Sequence, residues 1–143
     1  MNKKISYIEQ MEHSECGLAC VAMILSYYNY NTSLSELRDE YGLPKGGGSF
    51  FHLSKIAEMK GLKSKGFRCD TKSLEELSVP LILHWNDKHF VVLEKISKNK
   101  YYIIDPEFGR RTFSSKEFEN HYSGAALSFE LTESFKEKKK NII

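Results

Sequence analysis

The sharpest feature of the chain is a run, Leu18 to Leu25, in which every position is apolar. From Glu15 to about Tyr28 the pattern fits a helix that is apolar nearly all round, which predicts a central buried helix. Residues 1–12, ahead of it, read as an extended or irregular lead-in, and Asn29-Tyr30-Asn31 ends it. Ser33 with Glu36 three residues later is a capping-box pattern, opening a second helix to about Tyr41 that Gly42 stops. Pro44-Lys45-Gly46-Gly47-Gly48 reads as a loop, and Ser49 caps a third helix running to about Lys60, with Gly61 as its stop signal.

The second half changes period. Leu62 to Cys69 predicts a short strand and Ser73 to Leu77 a helical turn. Pro80 opens the strand Leu81–Trp85, followed by a turn at Asn86-Asp87. His89–Glu94 and Tyr101–Ile104 are β-rich runs around a turn near Lys98-Asn99, and Asp105-Pro106 closes that arm. Ser114 to His121 suggests a short helix and Ala125 to Leu131 a last strand. Helices first and antiparallel strands later define an α+β domain.

Composition narrows the function classes. With 143 residues, 41% hydrophobic and 13% aromatic, the chain suits one globular domain with a real core. A formal net charge of +2 gives no case for nucleic acid. Three cysteines are an odd number, which fits a reducing compartment better than a disulfide framework. Lys3 and Lys4 have no apolar segment behind them, which argues against a signal peptide, and the apolar run is far short of the ~20 residues that span a bilayer. The expectation is a cytoplasmic domain over 1–132, followed by a lysine-rich tail or linker over 133–143.

Candidate chemistry starts at Cys16, where a polar segment meets the apolar helix. A thiol in the first turn feels the positive end of the helix dipole, which favours the nucleophilic thiolate. Ser14 is the expected cap, Gly17 is expected to leave space beside the sulfur, and Gln10 carries an amide able to stabilise an oxyanion. A cysteine nucleophile needs a base, and the base an orienting group. Of five histidines, His13 and His121 lie in polar surroundings, His52 falls in a helix first turn and His84 inside an apolar strand. His89 begins a strand after a turn, and Asp105 ends the neighbouring strand. Their register stays open. A Lys98-Asn99 turn sets Asp105 opposite Val92, ~10 Å along the strand from His89. A turn one residue earlier, or a bulge, closes that gap.

Two other chemistries have weaker support. The triple glycine has its lysine before it, no Gly-Lys-Ser/Thr after it and no clear strand leading in, which speaks against a phosphate loop. Cys16 and Cys20 share a helical face with His13 nearby, but no second Cys/His pair at structural-zinc spacing appears, and Cys20 falls within the apolar helix. Cys69 carries no signal. No metal or other cofactor is expected.

Gln10 six residues before Cys16-Gly17-Leu18-Ala19-Cys20, then His84-Trp85 with His89-Phe90-Val91-Val92-Leu93, then Asp105-Pro106 with Gly109, resembles the C39 peptidases. The resemblance runs from about Tyr7 to about Leu131. It implies a papain-like fold, with N-terminal helices, including a central buried helix carrying Cys16, packed on a C-terminal antiparallel sheet. It implies Cys16 as nucleophile, His89 as general base and acid, Asp105 as orienter and Gln10 as oxyanion donor. Glu12 and Glu15 stand where many members have Asp, which keeps the charge. The family is usually the N-terminal domain of bacteriocin and lantibiotic ABC transporters. The implied substrate is a precursor peptide whose amphipathic leader ends in Gly-Gly or Gly-Ala. The chain is then expected to be a free-standing peptidase or, preferably, a piece of a full-length protein with transmembrane and ATPase parts, which places it at the cytoplasmic side of the membrane. Some relatives lack the cysteine and only hold substrate. A non-hydrolytic leader-docking domain is therefore the alternative, against which the full set of catalytic positions speaks.

Overall fold

The structure, a computed structural model, describes residues 4–42 and 48–139. After the lead-in, a single 3-10 turn at His13–Glu15 feeds helix α1 (Cys16–Tyr27). Helices α2 (Leu34–Tyr41) and α3 (Phe50–Met59) follow, then strand β1 (Leu62–Arg68) and the short helix α4 (Thr71–Leu74). The remainder is β2 (Leu81–Trp85), β3 (His89–Ser97), β4 (Lys100–Asp105), β5 (Gly109–Ser114), helix α5 (Ser115–Glu119) and β6 (Tyr122–Leu131). Among the described residues no helix is long and apolar enough to cross a membrane.

The strands form one antiparallel sheet in the order β1-β6-β2-β3-β4-β5. Its centre is buried on both faces, which is why β2 and β3 read as continuous apolar runs rather than alternating ones. Ile82, Phe90, Val92, Ile104 and Leu127 face α1 and its neighbours. Leu81, Leu83, Val91, Leu93 and Ile103 join Leu74 and Phe118 of the two short helices on the other face. Every residue of α1 from Cys16 to Leu25 is buried. The fold is the α+β, papain-like arrangement expected, with the cysteine-bearing helix at its centre.

Local signals explain most element ends. The Ser33 and Ser49 side chains accept from the backbone N–H of Glu36 and His52, capping α2 and α3. Gly42 and Gly61 take φ of 71° and 96° beyond those helices. Lys98 and Asn99 both have positive φ, as a two-residue hairpin turn needs.

The differences are local. The helical turn expected from Ser73 begins at Thr71, because the Asp70 carboxylate accepts from Ser73 N–H and makes Asp70 the cap. Strand β5 gives no periodic signal: it is an edge strand with only Phe113 buried. The space expected beside Gly17 is filled, since a Cβ there would lie 2.9 Å from Leu53 Cδ2 and 3.4 Å from Phe90. Residues 132–138 return to the segment that follows α1. Phe135 packs on Tyr28 and Tyr30, and Lys138 bridges to Tyr30. Pro44 to Gly47, most of the expected glycine loop, lies outside the described residues, as do Lys140 to Ile143.

Candidate active site

Cys16 is the first residue of α1, so its thiol lies at the positive end of a twelve-residue helix. Ser14 does not cap that helix. Glu15 occupies the N-cap position, and the reciprocal capping bonds run between Glu12 and Glu15 across the preceding 3-10 turn. The thiol borders a cleft of about 620 Å³ whose walls include Ser14, Gly48, His84, Lys88 and Phe90.

His89 and Asp105 meet. Nε2 of His89 lies 2.7 Å from Asp105 Oδ1, and the same oxygen accepts the Glu107 N–H at 2.8 Å. A bulge produces this contact. The hairpin turns at Lys98-Asn99, with Ser97 paired to Lys100, yet Leu93 pairs with Ile103 because one residue, Glu94, is skipped. Without the bulge Asp105 would share a sheet face with Val92; with it, Asp105 shares the face of Val91 and His89. One inserted residue therefore changes the side on which the carboxylate emerges, which matters more than the distance along the strand.

Burial opposes charging His89, but the hydrogen bond to Asp105 and the neighbouring Cys16 outweigh it and push its pKa up to about 10. At neutral pH the ring is therefore an imidazolium. With Nε2 engaged by Asp105, Nδ1 is the nitrogen left to serve the sulfur.

Gln10 stands next to this group through the backbone: its N–H donates to Pro106 O at 2.9 Å, and Tyr7 OH donates to the same oxygen at 3.2 Å. The Gln10 side chain is turned along its own segment. Nε2 donates to Glu12 O at 3.3 Å, and Oε1 is buried without a partner among the described residues.

Of the other candidates, His13, His84 and His121 border the site, whereas Cys20 lies away from it. Cys20 is fully buried, and burial raises its thiol pKa well above the ordinary value, so it behaves as a core hydrophobe rather than a ligand. His121 stacks on Trp85 and bonds Asn86 Oδ1 through Nδ1. His84 sits in an aromatic cluster with Phe50 and Phe90 at the cleft wall. The sequence marks Glu15 only as an acidic position shared with the family and gives it no role. It is fully buried, accepts the N–H groups of Met11 and Glu12, and pairs with Arg38. No sequence pattern marks a glutamate as buried when it stands in a charged stretch; the junction with the apolar helix is the only clue.

A buried helix bearing an N-terminal thiol, packed on an antiparallel sheet that supplies a carboxylate-bound imidazolium, defines a cysteine peptidase of papain-like architecture. Residues 4–134 match the model of the peptidase C39 family, and the chain belongs to that family. It is 36% identical over 125 residues to the colicin V secretion/processing ATP-binding protein CvaB of Escherichia coli, a match covering 87% of this chain and 18% of that protein's length. It is also similar to the crystal structure of a double glycine motif protease from an AMS/PCAT transporter in complex with the leader peptide. There the TM-score is 0.85 at 36% identity, covering 92% of this chain and 94% of that one. The peptidase domain of Streptococcus ComA shares the fold at 21% identity, with a TM-score of 0.79 over 89% of this chain and 100% of that one.

Proposed function

We propose that this domain is an endopeptidase that removes the leader from bacteriocin or lanthipeptide precursors after a double-glycine motif. The observation that carries the reading is the 2.7 Å His89–Asp105 contact beside Cys16, on a chain 36% identical to a double glycine motif protease. Cys16 Sγ, as thiolate, attacks the scissile carbonyl. The His89 imidazolium protonates the departing amine, and His89 then activates the water that releases the acyl group. Asp105 holds the ring. Gln10 donates to the developing oxyanion: among the described residues its side chain makes only the long bond to Glu12 O, so little is lost when the amide turns.

Glycine at both positions before the cut fits a cleft that excludes side chains by steric clash. Two glycines supply little binding energy, so affinity has to come from an amphipathic leader helix seated in an apolar groove. The chain spans about a fifth of the length of curated relatives whose names join processing to secretion. We place the domain at the cytoplasmic face of a membrane, joined to transmembrane and ATPase parts that export the processed peptide.

The test is incubation with a double-glycine precursor, read by mass spectrometry. The expected product is cut after the second glycine, and Val at that glycine stops cleavage while leaving binding nearly intact. A precursor bound tightly but left whole by the wild-type chain would instead support a docking domain.

A further inference from the structure

Among the described residues, the one buried charge that the proposed reaction does not use is Glu15, the residue before the proposed nucleophile. Its side chain has no exposure to solvent, yet both oxygens are fully engaged. Oε1 accepts the backbone N–H of Met11 at 3.1 Å and of Glu12 at 2.8 Å. Oε2 takes Nε and Nη2 of Arg38, each at 2.5 Å, from α2. Burying a carboxylate is costly unless it is paired and hydrogen-bonded, and this one is both. The bonds it makes run backward along the chain, onto the two residues that follow Gln10.

Those bonds complete a frame. On one side Gln10 is tied by its own N–H to Pro106 O, next to Asp105. On the other side Met11 and Glu12 are tied to Glu15, next to Cys16. Gln10 is thus the link between two anchors that each adjoin a member of the Cys16–His89–Asp105 set. The negative charge beside the sulfur would oppose a thiolate; Arg38 cancels it, so the anchor does not work against the nucleophile.

We propose that Glu15 is a positioning residue, clamped by Arg38 of α2, that holds the segment Gln10–Glu12 so that the Gln10 amide reaches the oxyanion formed at Cys16. This rests on Gln10 as oxyanion donor in the reading above. Glu15 touches no reacting atom and acts through Gln10.

A double-mutant cycle on the whole chain tests this, measuring kcat and KM on a double-glycine precursor together with the alkylation rate of Cys16. Glu15→Gln keeps the size of the side chain but gives up the ion pair. The expected result is a fall in kcat of about tenfold or more with KM changed less than about twofold, since only the transition state feels the misplaced donor. In a Gln10→Ala background the same change costs no more than about twofold, because the two act as one unit. Cys16 alkylation stays at the wild-type rate. If Glu15→Gln does not fold, Glu15→Asp and Arg38→Lys keep the charges and shift the geometry, and the same pattern is required of them.

A folded Glu15 variant with wild-type kcat overturns the inference. So do losses that multiply with Gln10→Ala, or a kcat loss matched by slower alkylation, which would place the effect on the thiol. A silent Gln10→Ala removes both the oxyanion assignment and this inference. Whether Cys16→Ala is inert decides the peptidase reading separately.

Discussion

Cys16 and Cys20 stand one helical turn apart on the same helix, and their surroundings make them chemically different residues. Cys16 borders an open cleft at the helix's positive end and has the His89 imidazolium beside it. Cys20 has no solvent contact, and burial among Leu, Ile and Val neighbours raises its thiol pKa. A helix terminus beside charged groups favours a thiolate, and a helix interior forbids one. Four residues along the sequence therefore separate the proposed nucleophile from a core side chain. Spacing alone, which would pair the two as metal ligands, ignores that gradient.

The largest expected effect breaks the comparison outright. Cys16→Ala should abolish precursor cleavage, whereas Cys20→Ala should keep turnover and lose about 1 kcal/mol of stability to the small cavity. Activity and thermal denaturation of both variants check it. An active Cys16→Ala enzyme would move the nucleophile elsewhere.

A second, intermediate effect concerns the imidazolium that distinguishes the two thiols. A folded pKa of about 10, raised above the ordinary value, means that the His89–Asp105 pair stabilises the fold fully below pH ~6.5. That contribution is lost as pH rises through about 10. Turnover should follow the same limb, because the group that protonates the leaving amine disappears there. Asp105→Asn should bring the alkaline limb of kcat/KM down by a unit or more, roughly the influence of one adjacent charge. An unchanged pH profile in that variant would mean Asp105 does not govern the ring.

The smallest effect sharpens the ranking without changing activity. In native protein a thiol alkylator should modify Cys16 first, half-buried Cys69 later and Cys20 only on unfolding. Peptide mapping against time reads the order directly.

Much of this was legible before any coordinates. The Lys98-Asn99 turn, the capping residues Ser33 and Ser49, and the buried helix all follow from local chemistry that tertiary contacts do not override. Cys16, His89 and Asp105 were singled out as a set by the resemblance to the C39 peptidases, while the residues alone left the register of His89 and Asp105 open. What stayed hidden were features decided across the sheet. The bulge at Glu94 leaves no mark on the pattern of β3, because the stretch Phe90 to Leu93 beside it is buried on both faces and either parity looks apolar. Strand β5 is recognised only by its ladder with β4, since an edge strand needs little apolar surface. Glu15 reads as one charge among several until Arg38, 23 residues on, comes back to meet it.

The β1–β6 ladder sets the order in which the domain can come into being. Leu62 pairs with Leu131, and among the described residues β1 has β6 as its sole strand neighbour. During synthesis at ~5–20 residues per second, Cys16 leaves the ribosome on the order of seconds before Asp105, and β1 waits longer still for its partner. Contacts of such long sequence separation also form late in refolding. A growing or half-folded chain thus carries a thiol with no imidazolium beside it. The sulfur gains its imidazolium only once the β3–β4 pair has been made and packed on α1, so the chemistry is assembled later than the helix that carries its thiol.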